Sequence, residues 1–166
     1  MEAIALQAGL GVEGDAHWGA TVQHRSRVKA NPHQPNLRQV HVISADLFAH
    51  LATQGFDVHA GQLGENITLA AAPGLGWYDL ITLPVDTRLH FAQGPVLQLT
   101  GLRNPCVQIE QFQKGLFAAM LDKTADGQLL RKTGVMAIVL QGGAVQAGDG
   151  ISIQPPPAPH RPMDRV

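Results

Sequence analysis

Reactive chemistry concentrates in TGLRNPCVQIEQF, Thr100 to Phe112, which holds the chain's only cysteine, Cys106, directly after Arg103, Asn104 and Pro105. Proline fixes its own φ and pushes the residue before it into an extended conformation, so the backbone reaches Cys106 in a defined direction. A helix beginning just after the cysteine would set the thiol near free N–H groups and a positive dipole end, and Arg103 adds positive charge. Both favour thiolate, the form that is nucleophilic and that binds soft metals. The opposing reading is a small core residue, since free cysteine is among the most buried residue types.

Other stretches offer weaker chemistry. In GQLGENITL (61–69) two glycines bracket a loop, and Glu65 and Asn66 stand at the mouth of a strand. Glycine allows close backbone approach to a ligand, and Asn offers donor and acceptor to a heterocycle or phosphate. An ordinary turn with a solvated Glu65 is the bland alternative. GLGVEGDAHWG (9–19) superficially resembles a phosphate loop, but no lysine follows it and no strand–GxGxxG–helix unit surrounds it. Its Asp15 and His17, with His24 and His41, could form a hard-metal site, although no paired ligand spacing supports one. Arg38, in PNLRQVH, and Arg131 each precede a strand, where a guanidinium could clamp an anion or bond a carboxylate.

The elements that must position these groups are short. QVHVIS (39–44), NITLA (66–70), TRLHF (87–91), PVLQLTG (95–101), GVMAIVL (134–140) and ISIQ (151–154) read as strands, with Ile43 out of phase in the first. GVMAIVL is apolar enough to be buried on both faces. Helical spacing occurs in SADLFAHLATQG (44–55), with Ser44 as N-cap and Leu47, Phe48 and Leu51 on one stripe. It recurs from Val107 to about Phe112 and in GLFAAMLDK (115–123). Many strands and few helices predict a β-barrel or closed sandwich, one domain over 1–154. The Pro-rich tail, 155–166, cannot extend a sheet and either wraps the surface or is loose. Residues 22–39 are polar, lack a clear period and read as a long loop bordering a pocket.

Composition excludes several classes. The 166 residues carry twelve basic and thirteen acidic side chains, net charge −1, which leaves no electrostatic footprint for nucleic acid or an anionic membrane. One cysteine excludes an intrachain disulfide framework and fits a reducing cytoplasm. No apolar run is long enough to span a membrane, and the N-terminus lacks a basic signal-peptide region.

Taken in order, GLGVEGDAHWG, RQVHVI, GQLGENIT, TGLRNPC and TGVMAIVLQGGAVQAGDGI resemble a MOSC domain, the family named for the C-terminal domain of molybdenum cofactor sulfurase. The resemblance covers about residues 9–153, and its most specific parts are the GEN loop and the arginine–x–proline–cysteine arrangement. It implies a closed β-barrel with a few short helices, carrying a molybdenum cofactor (molybdopterin). Cys106 would be the catalytic sulfur and the metal ligand, with Arg38, Glu65, Asn66 and Arg103 in the cofactor shell. The small standalone bacterial members are most similar, and some reduce N-hydroxylated compounds. That role needs a small-molecule substrate, an external electron donor and a proton source, for which His17 or Asp15 is the candidate. The alternative is a sulfur carrier or cofactor-handling protein whose Cys106 accepts a persulfide from a donor protein. A metal-dependent hydrolase built on Asp15 and His17, or a domain whose site no longer binds cofactor, are further readings. The resemblance also implies a strand before the glycine-rich loop, so a chain starting at Met1 is expected to be shortened there or to have its start assigned late.

Overall fold

The computed structural model describes residues 3–23 and 25–166. Its strands are β1 (Ile4–Gln7), β2 (Gly11–Val12), β3 (Val40–Ser44), β4 (Ile67–Leu69), β5 (Arg88–Phe91), β6 (Val96–Leu102), β7 (Leu121–Lys123), β8 (Leu129–Arg131), β9 (Val135–Gln141), β10 (Gly143–Val145) and β11 (Ile151–Gln154). The helices are short: α1 (Arg25–Ala30), α2 (Asp46–Ala52), α3 (Trp77–Thr82), α4 (Val107–Phe112) and α5 (Leu116–Ala119). None of the described helices is long and apolar enough to cross a membrane.

The main sheet has six strands in the order β11-β5-β6-β9-β3-β4. All its pairs are antiparallel except β3–β4, whose parallel register needs a crossover, here through α2. This sheet is an open half-barrel, which corrects the expectation of a closed one. Two features keep it open. β11 runs directly into Pro155–Pro157, which have no N–H to extend a ladder, and β4 is only three residues long. Beyond β9 the chain instead turns at Gly142 and enters a separate three-stranded sheet, β10-β1-β2. The missing side chain at Gly142 makes that turn possible, because a Cβ there would lie 2.6 Å from the Leu6 carbonyl oxygen. β1 thus supplies a strand ahead of the glycine-rich loop.

β3 is buried along its whole length and divides the core. Val40 and Val42 point into the main cluster with Leu89, Leu97, Leu99, Val135 and Ala137. Ile43 points the other way, beneath the helices, with Leu47, Leu51, Ile109, Leu116 and Met120. Its break of phase in the sequence is therefore a strand covered on both faces.

Several local expectations are corrected. Ser44 ends β3 rather than capping α2; the cap position is Ala45, with no side-chain cap bond. The stretch 115–123 is helical only to Ala119, and Leu121–Lys123 then pair with β8. The segment 22–39 contains α1. The tail is pinned: the backbone N–H of Leu102 donates to Asp164 O (2.8 Å), that of Val166 to Leu102 O (3.2 Å), and Met163 is buried in the main core. Gly101, at a bulge in the β6–β9 pairing, admits it, since a Cβ there would meet Asp164 O at 2.5 Å.

Two side-chain-level features of this crossing carry predictions. Gly134 adopts φ +82°, and a Cβ would strike the Val42 carbonyl oxygen and come within 2.8 Å of Ile43 Cγ1. Gly134→Ala should destabilise the fold by at least about 2 kcal/mol in urea unfolding; an unchanged midpoint would contradict the crossing. The second is His41, buried in β3 with Nε2 2.7 Å from Thr133 O and Nδ1 3.3 Å from Gly64 O. Burial, then Arg103, push its pKa down to about 3; the Thr133 and Gly64 carbonyls oppose the shift, and Arg38 adds to it. The folded state thus resists a proton that the unfolded chain accepts near pH 6.5. Its stabilising contribution is complete above that pH and fades as pH falls toward 3, by up to about 1.4 kcal/mol per pH unit. Unfolding free energy measured from pH 7 to 5 should fall less steeply in His41→Gln than in wild type. Parallel slopes would rule this out.

Candidate functional site

Cys106 sits where the chain leaves β6 and turns into α4. It occupies the N-cap position, with φ −123° and ψ 167°, and its carbonyl accepts the Ile109 N–H at 3.0 Å. The approach to it is clamped from the segment leading into β9. Arg103 N–H donates to Gly134 O (3.0 Å), the Thr133 hydroxyl to Arg103 O (3.0 Å), and Arg131 Nε to Asn104 Oδ1 (3.0 Å). The half-buried thiol packs at the margin of the helical core cluster, with Gln108 Oε1 3.6 Å from Sγ.

The GEN loop faces it across β3, and its residues divide their work. Asn66 takes the His41 N–H on Oδ1 (2.8 Å) and gives its own backbone N–H to His41 O (2.9 Å). Its Nδ2 donates to Asp15 Oδ2 (2.9 Å). Glu65 turns inward on its loop: Oε1 accepts from Gly61 N–H and the Thr68 hydroxyl, and Oε2 from Leu63 N–H. Asp15 Oδ1 also accepts the His17 backbone N–H (2.7 Å) and lies 3.2 Å from His17 Nδ1. Buried Asn36 ties the segment leading into β3 to the Asp15–Gly19 loop, donating to His17 O (2.7 Å) and Gly19 O (2.9 Å) and accepting the Arg38 N–H (3.0 Å).

Between these walls lies a cavity of about 440 Å³, lined by Cys106, Arg38, Arg103, Asn66 and His17 among others. Five of the residues singled out in the sequence therefore converge. Asp15 and Glu65 stand behind the wall rather than in it. The lining also includes Arg27 of α1, His41, Gln108 of α4, and Arg165 and Val166 of the tail. The polar segment 22–39 signalled a pocket border, but nothing local in the sequence marks Arg165.

The cavity is rich in cations, and no acidic side chain among the described residues lines it. Among the described residues, none of the four lining arginines is within ion-pair distance of a carboxylate. Arg38 Nε and Arg103 Nη1 are buried donors without partners. Burial lowers the Arg38 pKa from its ordinary value, Arg27 and Arg103 lower it further, and Cys106 acts against them. Burial likewise lowers that of Arg103, while Cys106 and Glu65 oppose the shift. An unpartnered buried donor is costly, so this arrangement suits an anion that satisfies it. Metal ligation by clustered histidines and carboxylates has no support: no group of three His, Cys, Asp or Glu able to hold a metal occurs among the described residues. His41, neutral, gives its one ring N–H at Nε2 to Thr133 O, and His24 lies outside the described residues.

The fold is shared with solved structures at low identity. The YuaD protein from Bacillus subtilis aligns with a TM-score of 0.74 and 23% identity, over 95% of this chain and 87% of that one. YiiM from Escherichia coli aligns at 0.60 and 15%, over 96% of this chain and 65% of its own. YiiM from Geobacillus stearothermophilus aligns at 0.56 and 18%, over 72% and 56%. This chain thus spans just over half to about two thirds of the YiiM chains. No curated protein matches the sequence at a significant level. A family model described as MOSC domain matches residues 29–152, a span that takes in Arg38, Glu65, Asn66, Arg103 and Cys106. With three quarters of its length so matched, the chain belongs to the MOSC domain family.

Proposed function

We propose that the cavity binds a pterin molybdenum cofactor through Cys106, Arg38 and Arg103, and that the protein reduces N-hydroxylated compounds with electrons from an external donor. The MOSC family is associated with this cofactor. The observation that carries the reading is the half-buried thiol beside two half-buried arginines, each with a buried donor atom that is unpartnered among the described residues, and with no acidic side chain of those residues in the lining. That donor set fits the group. A phosphate would satisfy Arg38 Nε and Arg103 Nη1, and a thiolate is the soft ligand molybdenum takes. The cavity volume falls within the roughly 300–1,000 Å³ usual for small-molecule sites.

When bound, the cofactor would supply the two-electron chemistry that cleaves an N–O bond. The protein's own residues place and protonate. Cleaving the N–O bond of R–NHOH takes two electrons and two protons and releases an amine and water, so a proton carrier must face the cavity. His17 does so, with Nδ1 held at Asp15 and Nε2 left for exchange with the substrate hydroxyl. Asp15 is a positioning residue, fixed in turn by Asn66. Arg38 and Arg103 hold the cofactor's anionic end, and Pro105 with the Thr133–Gly134 clamp keeps Cys106 from swinging away.

The protein purified from a host that makes the cofactor should contain roughly stoichiometric molybdenum and pterin. Cys106→Ser, with unchanged circular dichroism, should lose the metal. His17→Gln should keep both and lower kcat by about 10²-fold or more. Absence of cofactor from wild type, with Cys106 recovered as a persulfide, would replace this reading with sulfur carriage.

A further inference from the structure

The four lining arginines fall into two tiers. Arg38 and Arg103 are half-buried, each holds one buried donor atom without a partner among the described residues, and both interact with the charge of Cys106. Arg27, half-buried, and Arg165, exposed, show no such buried donor, and both come from segments outside the main sheet, α1 and the tail. Arg165 is held in place by backbone pairing: it bridges to Leu102 between the hydrogen bonds that flank it at Asp164 and Val166. Arg27 lies close enough to Arg38 for their charges to repel. A chain of net charge −1 has thus gathered four of its twelve basic side chains around one cavity, with no ion pair to any of them among the described residues. One buried anion at the floor accounts for Arg38 and Arg103 and leaves the outer pair unmatched.

We infer that Arg27 and Arg165 receive an oxyanion carried by the substrate, so that the compounds reduced are N-hydroxylated molecules bearing a carboxylate or phosphate. The inference rests on the reductase reading of the pocket. A neutral N-hydroxylated compound would leave the charges of Arg27 and Arg165 unmatched and Arg27 repelled by Arg38, whereas an anionic one relieves that repulsion. Both contacts are partly in water, so each contributes modestly, and together they amount to about tenfold in affinity. Salt should weaken the preference, because exposed charges are screened.

The test uses three probes: a neutral aromatic N-hydroxylated amidine, the same compound with a ring carboxylate, and the same with a phosphate ester. Calorimetry on the cofactor-loaded protein, in which Arg38 and Arg103 are occupied, should show the anionic probes binding about tenfold more tightly than the neutral one. In turnover by the molybdenum-loaded protein, kcat/KM should favour them by a similar factor, expressed in KM. Both preferences should collapse toward unity in the Arg27→Gln/Arg165→Gln double variant, whose folding is checked by thermal melting. Which anionic probe gains more identifies carboxylate or phosphate. Equal binding of neutral and anionic probes would overturn the inference, as would a preference that survives in the double variant. Anion-selective binding without turnover would uphold the anion site while defeating the reductase reading, so the two fail separately.

Discussion

The site depends on one backbone crossing, where Gly134 passes over Val42 and His41 of β3. No side chain fits there: the Val42 carbonyl oxygen, Ile43 Cγ1 and the His41 ring already fill the space a Cβ would need. Because the chains lie this close, Thr133 O reaches His41 Nε2, Gly134 O reaches the Arg103 N–H, and the Thr133 hydroxyl reaches Arg103 O. A single turn thus joins the central strand to the segment that delivers Arg103 and Cys106. From β3 the same connection continues through Asn66 to Asp15 and His17. The two sides of the cavity are one hydrogen-bonded unit, so a change at its centre displaces both.

Electrostatics pull against this order. Clustered guanidinium groups repel one another and resist burial, and His41, at the centre, is kept neutral first by its own burial and then by their charge. The core supplies the opposing stability: β3 is buried throughout, and fully buried Val40, Val42, Leu97, Leu99 and Val135 surround the positions where charge gathers. Local unfavourable charge held by a well-packed scaffold is the pattern of a binding site poised for an oppositely charged ligand.

Much of this was legible in the sequence where the signal is local. The strands of the main sheet fall close to their expected ranges, and α4 begins directly after Cys106 as the proline and the apolar spacing imply. What was not legible depends on distant partners. Closure of the barrel turns on whether β11 and β4 meet, which no spacing within either strand encodes. Ser44 has the chemistry of a cap, yet the parallel pairing of β3 with β4 draws it into the strand. The tail reads as wrapping the surface or loose because proline excludes ladders, and what decides for docking is distant: Gly101 opens a slot for Asp164 and Val166 about sixty residues later in the chain. Arg165 enters the cavity only through that docking.

The GEN loop separates being part of a motif from touching a ligand. Glu65 and Asn66 are adjacent, yet only Asn66 lines the cavity. Both Glu65 oxygens are occupied by its own loop, at Gly61, Leu63 and Thr68, which fixes the path of Gly64 and so the carbonyl that meets His41. Its charge still reaches Arg103 and partly offsets the burial of that guanidinium. A carboxylate in the lining would compete with an incoming anion for the arginine; one held behind the loop steadies the arginine and leaves its unpartnered donor available. The acidic residue would therefore serve the proposed anion site by being kept out of it.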